Sequence, residues 1–138
     1  MDDKAIKVLL IEDMDSDVLV IRQMLKRAGN AAFDIEVVSS LTKGLERLAK
    51  NNIDIVLLDL TLPDSIGLET FGRVRAHAAE IPVIIVASSH DETQAITAFQ
   101  KGAQDYLIKA QINTELLESS IRYSIERSKT RVELRRMK

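Results

Sequence analysis

Ile53-Asp54-Ile55-Val56-Leu57-Leu58-Asp59 is an almost unbroken apolar run, rich in β-branched residues, that ends in a carboxylate. Such runs suit strands covered on both faces, as in a parallel sheet flanked by helices. The run Lys7 to Ile11 ends the same way, in Glu12 and Asp13. Three carboxylates at the mouths of two buried strands call for a cation. Like charges about 4 Å apart repel by roughly 4 kcal/mol per pair at an effective dielectric near 20, and a hard divalent ion relieves that cost.

Working outward from this run, strand-like and helix-like patterns alternate five times, the signature of an α/β domain. The strands are expected at Ile6 to Ile11, Asp34 to Ser39, Ile53 to Asp59, Val83 to Ala87 and Asp105 to Ile108, the second and fifth having the weaker pattern of edges. Helical spacing joins Val18, Ile21, Leu25 and Ala28, with Gly29 as a stop signal, and then Leu41, Leu45 and Leu48, ended by Asn51-Asn52. A third helix is expected from Ser65 or Ile66 through Leu68, Phe71 and Val74. A fourth runs from about Asp91 through Ile96 and Phe99 to a left-handed cap at Gly102. The last starts at Asn113 as N-cap and carries Leu116, Leu117, Ile121, Ile125 and Val132 at helical spacing. Its length of about 25 residues outlasts the roughly four turns that a small sheet covers.

The chain has 138 residues, 46% hydrophobic and 29% charged, which fits one compact domain with its own core. With no cysteine, it offers neither a disulfide framework nor a thiolate ligand or nucleophile. The start Met1-Asp2-Asp3-Lys4 lacks a secretory layout, and Ile81 to Ala87 is too short to span a bilayer, so a soluble, cytoplasmic protein with no membrane contact is expected. The net charge of −2 leaves no overall nucleic-acid footprint, although Arg122 to Lys138 holds seven Lys or Arg against two Glu. Without interleaved aromatics, that tail fits a solvated helix, a coiled-coil connector or a homodimer helix better than a nucleic-acid patch.

In open parallel sheets, ligands sit beyond the carboxyl ends of the strands where strand order reverses. For order 2-1-3-4-5, that point lies between strands one and three, where Glu12, Asp13 and Asp59 stand. Lys109 follows the fifth strand and emerges on the same rim, where an ammonium can meet a bound anion.

I-E-D at 11–13, L-L-D-L at 57–60 and Y-L-I-K at 106–109 together resemble the receiver domain of bacterial two-component response regulators, of the chemotaxis-regulator type. The resemblance covers residues 5 to about 127. It implies a doubly wound, flavodoxin-like (βα)5 fold for residues 1–127, with residues 128–138 extending the last helix toward an output domain. By the same resemblance, Asp59 is the phosphoacceptor, charged by a sensor histidine kinase or a phosphotransfer protein. Mg²⁺ would be held by Asp13, Asp59 and the Thr61 backbone carbonyl, with Glu12 acting through water, and Lys109 would pair with the phosphoryl group. Tyr106 would be the switch aromatic, and the face of the fourth helix, fifth strand and fifth helix would signal to a downstream effector. The domain would catalyse only its own phosphoryl transfer and dephosphorylation.

The family pattern fails at two places. Receivers usually carry Thr or Ser at the end of strand four, where this chain has Ala87, which has no hydrogen-bond donor to offer. Ser88 or Ser89 would supply the missing hydroxyl of the switch if the loop turns early, although strand alternation points Ser88 away from where residue 87 points. Ala110 stands where many receivers have proline, so no cis bond is expected before it. Ala87 motivates a rival reading, a receiver-fold adaptor that works without phosphorylation. A second rival, a Mg²⁺-dependent phosphohydrolase using Asp59, lacks the second acid two residues on, where Thr61 stands. Thr61 and Ser89 fall where receivers tune access of water to the acyl phosphate. His77 and His90 have no metal-ligand spacing and read as surface residues.

Overall fold

In a computed structural model that describes residues 5–28 and 32–137, ten main elements alternate along the chain. They are β1 (Ile6–Ile11), α1 (Asp15–Arg27), β2 (Phe33–Val38), α2 (Leu41–Leu48), β3 (Ile55–Leu58), α3 (Leu68–His77), β4 (Val83–Ala87), α4 (Glu92–Gln100), β5 (Asp105–Ile108) and α5 (Thr114–Arg136). The five strands form one parallel sheet in the order β2-β1-β3-β4-β5, as expected, with the weaker strands β2 and β5 at the edges.

Alternation along the central strands divides the core into two layers. Leu9, Ile11, Val56, Leu58, Val83 and Ile85 face α2, α3 and α4, joined by Leu41, Leu48, Phe71, Val74 and Ala98. Val8, Leu10, Ile55, Leu57, Ile84 and Val86 face α1 and α5, joined by Ile21, Leu25, Leu117 and Ile121. Each such side chain, fully buried, contributes roughly 1.5–3 kcal/mol relative to exposure, which is why the strands read as continuous apolar runs. At Gly44, α2 lies so close to β1 that a Cβ would stand 2.5 Å from Ile11 Cδ1, so the absence of a side chain sets the helix–sheet distance.

The helix signals act as their chemistry predicts. Ser40, Asp91 and Asn113 cap α2, α4 and α5, each accepting a hydrogen bond from the backbone N–H three residues on. Gly102 takes φ +107° just beyond α4, and Asn51 and Asn52 take φ 64° and 65° beyond α2, the left-handed region these residues tolerate. Gly29, the expected stop of α1, lies outside the described residues. No cis peptide bond occurs among the described residues.

One expected boundary is wrong. Ser65 and Ile66 do not begin α3. They pair antiparallel with Thr61 and Leu62 in a two-rung ribbon, and Gly67, at φ 81°, turns the chain into the helix at Leu68. The turn at Pro63-Asp64 brings the two short segments together, and the Ser65 and Thr70 hydroxyls, 2.6 Å apart, fasten the ribbon to α3. β2 begins one residue earlier than expected, at Phe33, and β3 is confined to Ile55–Leu58.

Candidate functional site

The hydrogen-bond ladder continues one rung past the strands, and those rungs place the acids. The Glu12 N–H donates to the Val38 carbonyl at 3.0 Å, and the Asp59 N–H donates to the Ile11 carbonyl at 3.1 Å. Both carboxylates are thereby held at the carboxyl ends of β1 and β3, at the crevice where strand order reverses. Glu12 is 1% exposed and Asp59 3%, while Asp13 faces solvent. One oxygen from each of Glu12, Asp13 and Asp59 lies within 4.8 Å of the others.

Lys109 reaches this cluster from the end of β5, where Lys109–Gln111 forms a 3-10 turn. Its Nζ stands 2.7 Å from Glu12 Oε1, 2.7 Å from Asp17 Oδ2 and 3.5 Å from Asp59 Oδ2. Only the contact with Asp17 is also a directed hydrogen bond. Glu12 Oε1 has no hydrogen-bond partner, its closeness to Lys109 being an ion pair without the angle of a bond. Glu12 Oε2 accepts from the N–H of Met14, the residue capping α1, so a capping role coexists with membership of the cluster.

These contacts set the ionisation. Burial drives the Glu12 carboxyl up to about 7, with Asp59 pushing the same way and Lys109 pulling back. Burial also works against the Lys109 ammonium, but its hydrogen bond to Asp17, its ion pair with Glu12 and the charge of Asp59 outweigh it and hold its pKa above the usual value. A crowded acidic cluster of hard oxygen donors, one of them a buried oxygen with no hydrogen bond, suits a hard divalent cation such as Mg²⁺. Glu12, Asp13 and Asp59 are the side chains that could hold one.

A small cleft of about 130 Å³ opens beside Asp59, bordered by Thr61, Gly67, Ala87, Ser88, Ser89 and Gln94. The Thr61 N–H donates to Asp59 Oδ1 at 3.2 Å. Ala87 is buried on the α2–α4 side, and it brings only a methyl group to the cleft. Ser88, exposed, borders this cleft and also a second pocket beside Asp17 and Lys109. Tyr106 is half-buried against the same core layer, and its hydroxyl donates to Gln94 Oε1 at 2.6 Å. His77 and His90 are exposed.

Asp17 and Gln94 were not anticipated from sequence. Asp17 sits in the first turn of α1, four residues after Asp13, and its partner Lys109 is 92 residues away, a pairing that no local pattern shows. Asp64 was missed likewise. Its carboxylate bridges the ribbon turn to the start of α2, accepting from the Leu41 and Thr42 N–H groups, both at 2.9 Å.

Comparison with known families decides the assignment: the model of the response regulator receiver domain matches residues 8–122. The chain belongs to the response regulator receiver family. As a receiver, it is 29% identical over 103 residues to the transcriptional regulatory protein SrrA of Staphylococcus aureus (strain NCTC 8325 / PS 47), the match covering 75% of this chain and 41% of SrrA. The receiver thus spans less than half the length of the curated relatives it matches. Among solved structures, it resembles a response regulator receiver domain protein from Clostridium thermocellum at 29% identity and TM-score 0.78, covering 91% of this chain and 98% of that one. It shares its fold with a CheY-like receiver from Methanospirillum hungatei JF-1, at 19% identity and TM-score 0.78, with coverage of 93% and 99%. The fold and the two-component family expected from the three motifs are therefore shown. No helix among the described residues is long and apolar enough to cross a membrane.

Proposed function

We propose that this receiver is a phosphoacceptor switch in which Asp59 takes a phosphoryl group from a histidine kinase or phosphotransfer protein and passes the signal to a downstream effector. The observation that carries this reading is the placement of the buried Asp59 carboxylate, with Lys109 Nζ 3.5 Å away and two further acids around it. An Asp59 oxygen attacks phosphorus, the P–N bond of the phosphohistidine breaks, and its electron pair leaves with the imidazole. Mg²⁺, when bound there, would supply positive charge to offset the carboxylates and the transferring phosphoryl oxygens. Asp13, Asp59 and the Thr61 carbonyl would hold it directly and Glu12 through water. Lys109 supplies the fixed positive charge, and the Thr61 N–H orients the nucleophile.

The surface of α4, β5 and α5 is the proposed outlet. Ile96 and Phe99 on α4 and Leu116 and Tyr123 on α5 are exposed there, and Tyr106 links β5 to α4 through Gln94. The expected test is incubation with Mg²⁺ and acetyl phosphate, read by intact mass. Wild-type protein gains one phosphoryl group and Asp59→Asn gains none; equal labelling of both proteins overturns the assignment.

A second reading is favoured by Ala87, whose methyl group offers no hydrogen bond to an occupant of the Asp59 cleft. In that reading the domain is an adaptor that works without phosphorylation. It requires a partner to bind wild-type and Asp59→Asn proteins equally, with or without phosphodonor, and a change in affinity counts against it.

A further inference from the structure

Lys109 is shared unequally. Its directed hydrogen bond goes to Asp17 at 2.7 Å, Glu12 Oε1 stands equally near at 2.7 Å as an ion pair without the angle of a bond, and Asp59 stands at 3.5 Å. We infer that Asp17 is a positioning residue that holds the Lys109 ammonium back from Asp59, so that charge arriving at Asp59 is read at α1. The inference rests on the phosphoacceptor reading above.

A carboxylate in the first turn of α1 has a plain alternative explanation, since the helix N-terminus favours negative charge. Asp15, also in the first turn, already serves that end. Asp17 differs in being half-buried and committed to a lysine on another element. The pair is a clasp: one jaw is α1, and the other is the 3-10 turn Lys109–Gln111. Beside it lies a pocket of about 360 Å³, bordered by Val20, Met24, Ser88, Ala110 and Ile112.

Phosphorylation replaces a monoanionic carboxylate at Asp59 with a dianionic phosphoryl group, while Asp17 keeps a single charge. The attraction of Lys109 toward Asp59 therefore grows, and the balance tips away from Asp17. As the ammonium crosses over, the clasp opens and the pocket rim on α1 changes. The direction matters because of Ala87. On the α2–α4 side of the sheet the cleft residue has no donor, whereas on the α1 side an ion pair already spans the two elements.

Beryllofluoride with Mg²⁺, a non-covalent mimic of the phosphoryl group, tests this in the full chain. Asp17→Asn removes one competing charge and leaves the lysine paired with Glu12 on the Asp59 side, so it binds beryllofluoride roughly threefold or more tightly than wild type, the size expected of a partly exposed ion pair. Asp17→Glu restores near-wild-type affinity. Amide signals of residues 17–24 shift in wild type at saturation, and in Asp17→Asn those shifts shrink. Equal affinities for wild type and Asp17→Asn, or silence of α1 at saturation, overturn the inference while leaving the phosphoacceptor reading standing. Failure of wild type to bind the mimic removes that reading and the inference with it.

Discussion

Glu12 is a carboxyl with 1% of its surface exposed, crowded by Asp59, and it ionises only near pH 7. Its ordinary value is 4.5, so between 4.5 and about 7 the fold keeps a proton that the unfolded chain has released. Stability of the metal-free protein therefore falls as pH rises through that window. Glu12→Gln, measured in a chelator, should gain stability relative to wild type as pH rises from 4 to 8. Thermal unfolding at the two pH values checks it; a variant equally destabilised at both contradicts it. Ala87 stands at the end of β4 with only a methyl group beside the Asp59 cleft. The cleft beside it, about 130 Å³, has room for a hydroxyl and a methyl group. Ala87→Thr should enlarge the amide shifts of Tyr106 and α4 on phosphorylation, because it supplies the donor missing from that side. Unchanged shifts would show that the α4 route does not pass through position 87.

The ribbon Thr61–Leu62 with Ser65–Ile66 does more than interrupt the path from β3 to α3. From its turn, Asp64 caps α2, with Thr42 Oγ1 adding a hydrogen bond of 2.8 Å to those from the Leu41 and Thr42 N–H groups. These donors, the Thr42 N–H foremost, hold the Asp64 carboxyl down at about 2, below its ordinary 3.8. A lowered value means the contribution is present above 3.8 and is lost as pH falls through about 2. Asp64→Ala should lower the melting temperature at pH 7, and the gap to wild type should narrow between pH 4 and pH 2. A gap constant across that range would show that the carboxylate charge is not what anchors the turn. This element also marks where sequence reading stops. The five parallel strands were legible because burial on both faces leaves long apolar runs, and the caps Ser40, Asp91 and Asn113 are local chemistry. A two-rung ribbon has no periodicity to read, and Asp64 is recognisable as a cap only once the fold brings it to Leu41, 23 residues away.

At the scale of the molecule, the sheet separates two ends. The acids and Lys109 occupy the carboxyl end, and α5, running to Arg136, closes over the other, where the Ser128 hydroxyl donates to the Glu80 carbonyl and Arg136 pairs with Glu80. The position of Glu12, Asp13, Asp59 and Lys109 on one rim was legible because strand order alone brings the strand ends together. The contact of Lys109 with Asp17 was not, because it depends on side chains from α1 and from the turn after β5 meeting in space. The account as a whole stands on Asp59 as the group where the signal enters. Its most direct test is the amide spectrum with Mg²⁺ and beryllofluoride, recorded for wild type and for Asp59→Asn. The account predicts shifts in wild type that begin at Asp59 and spread through Lys109 to neighbouring elements, all absent from the variant. Identical spectra for the two proteins, with or without the mimic, would contradict it.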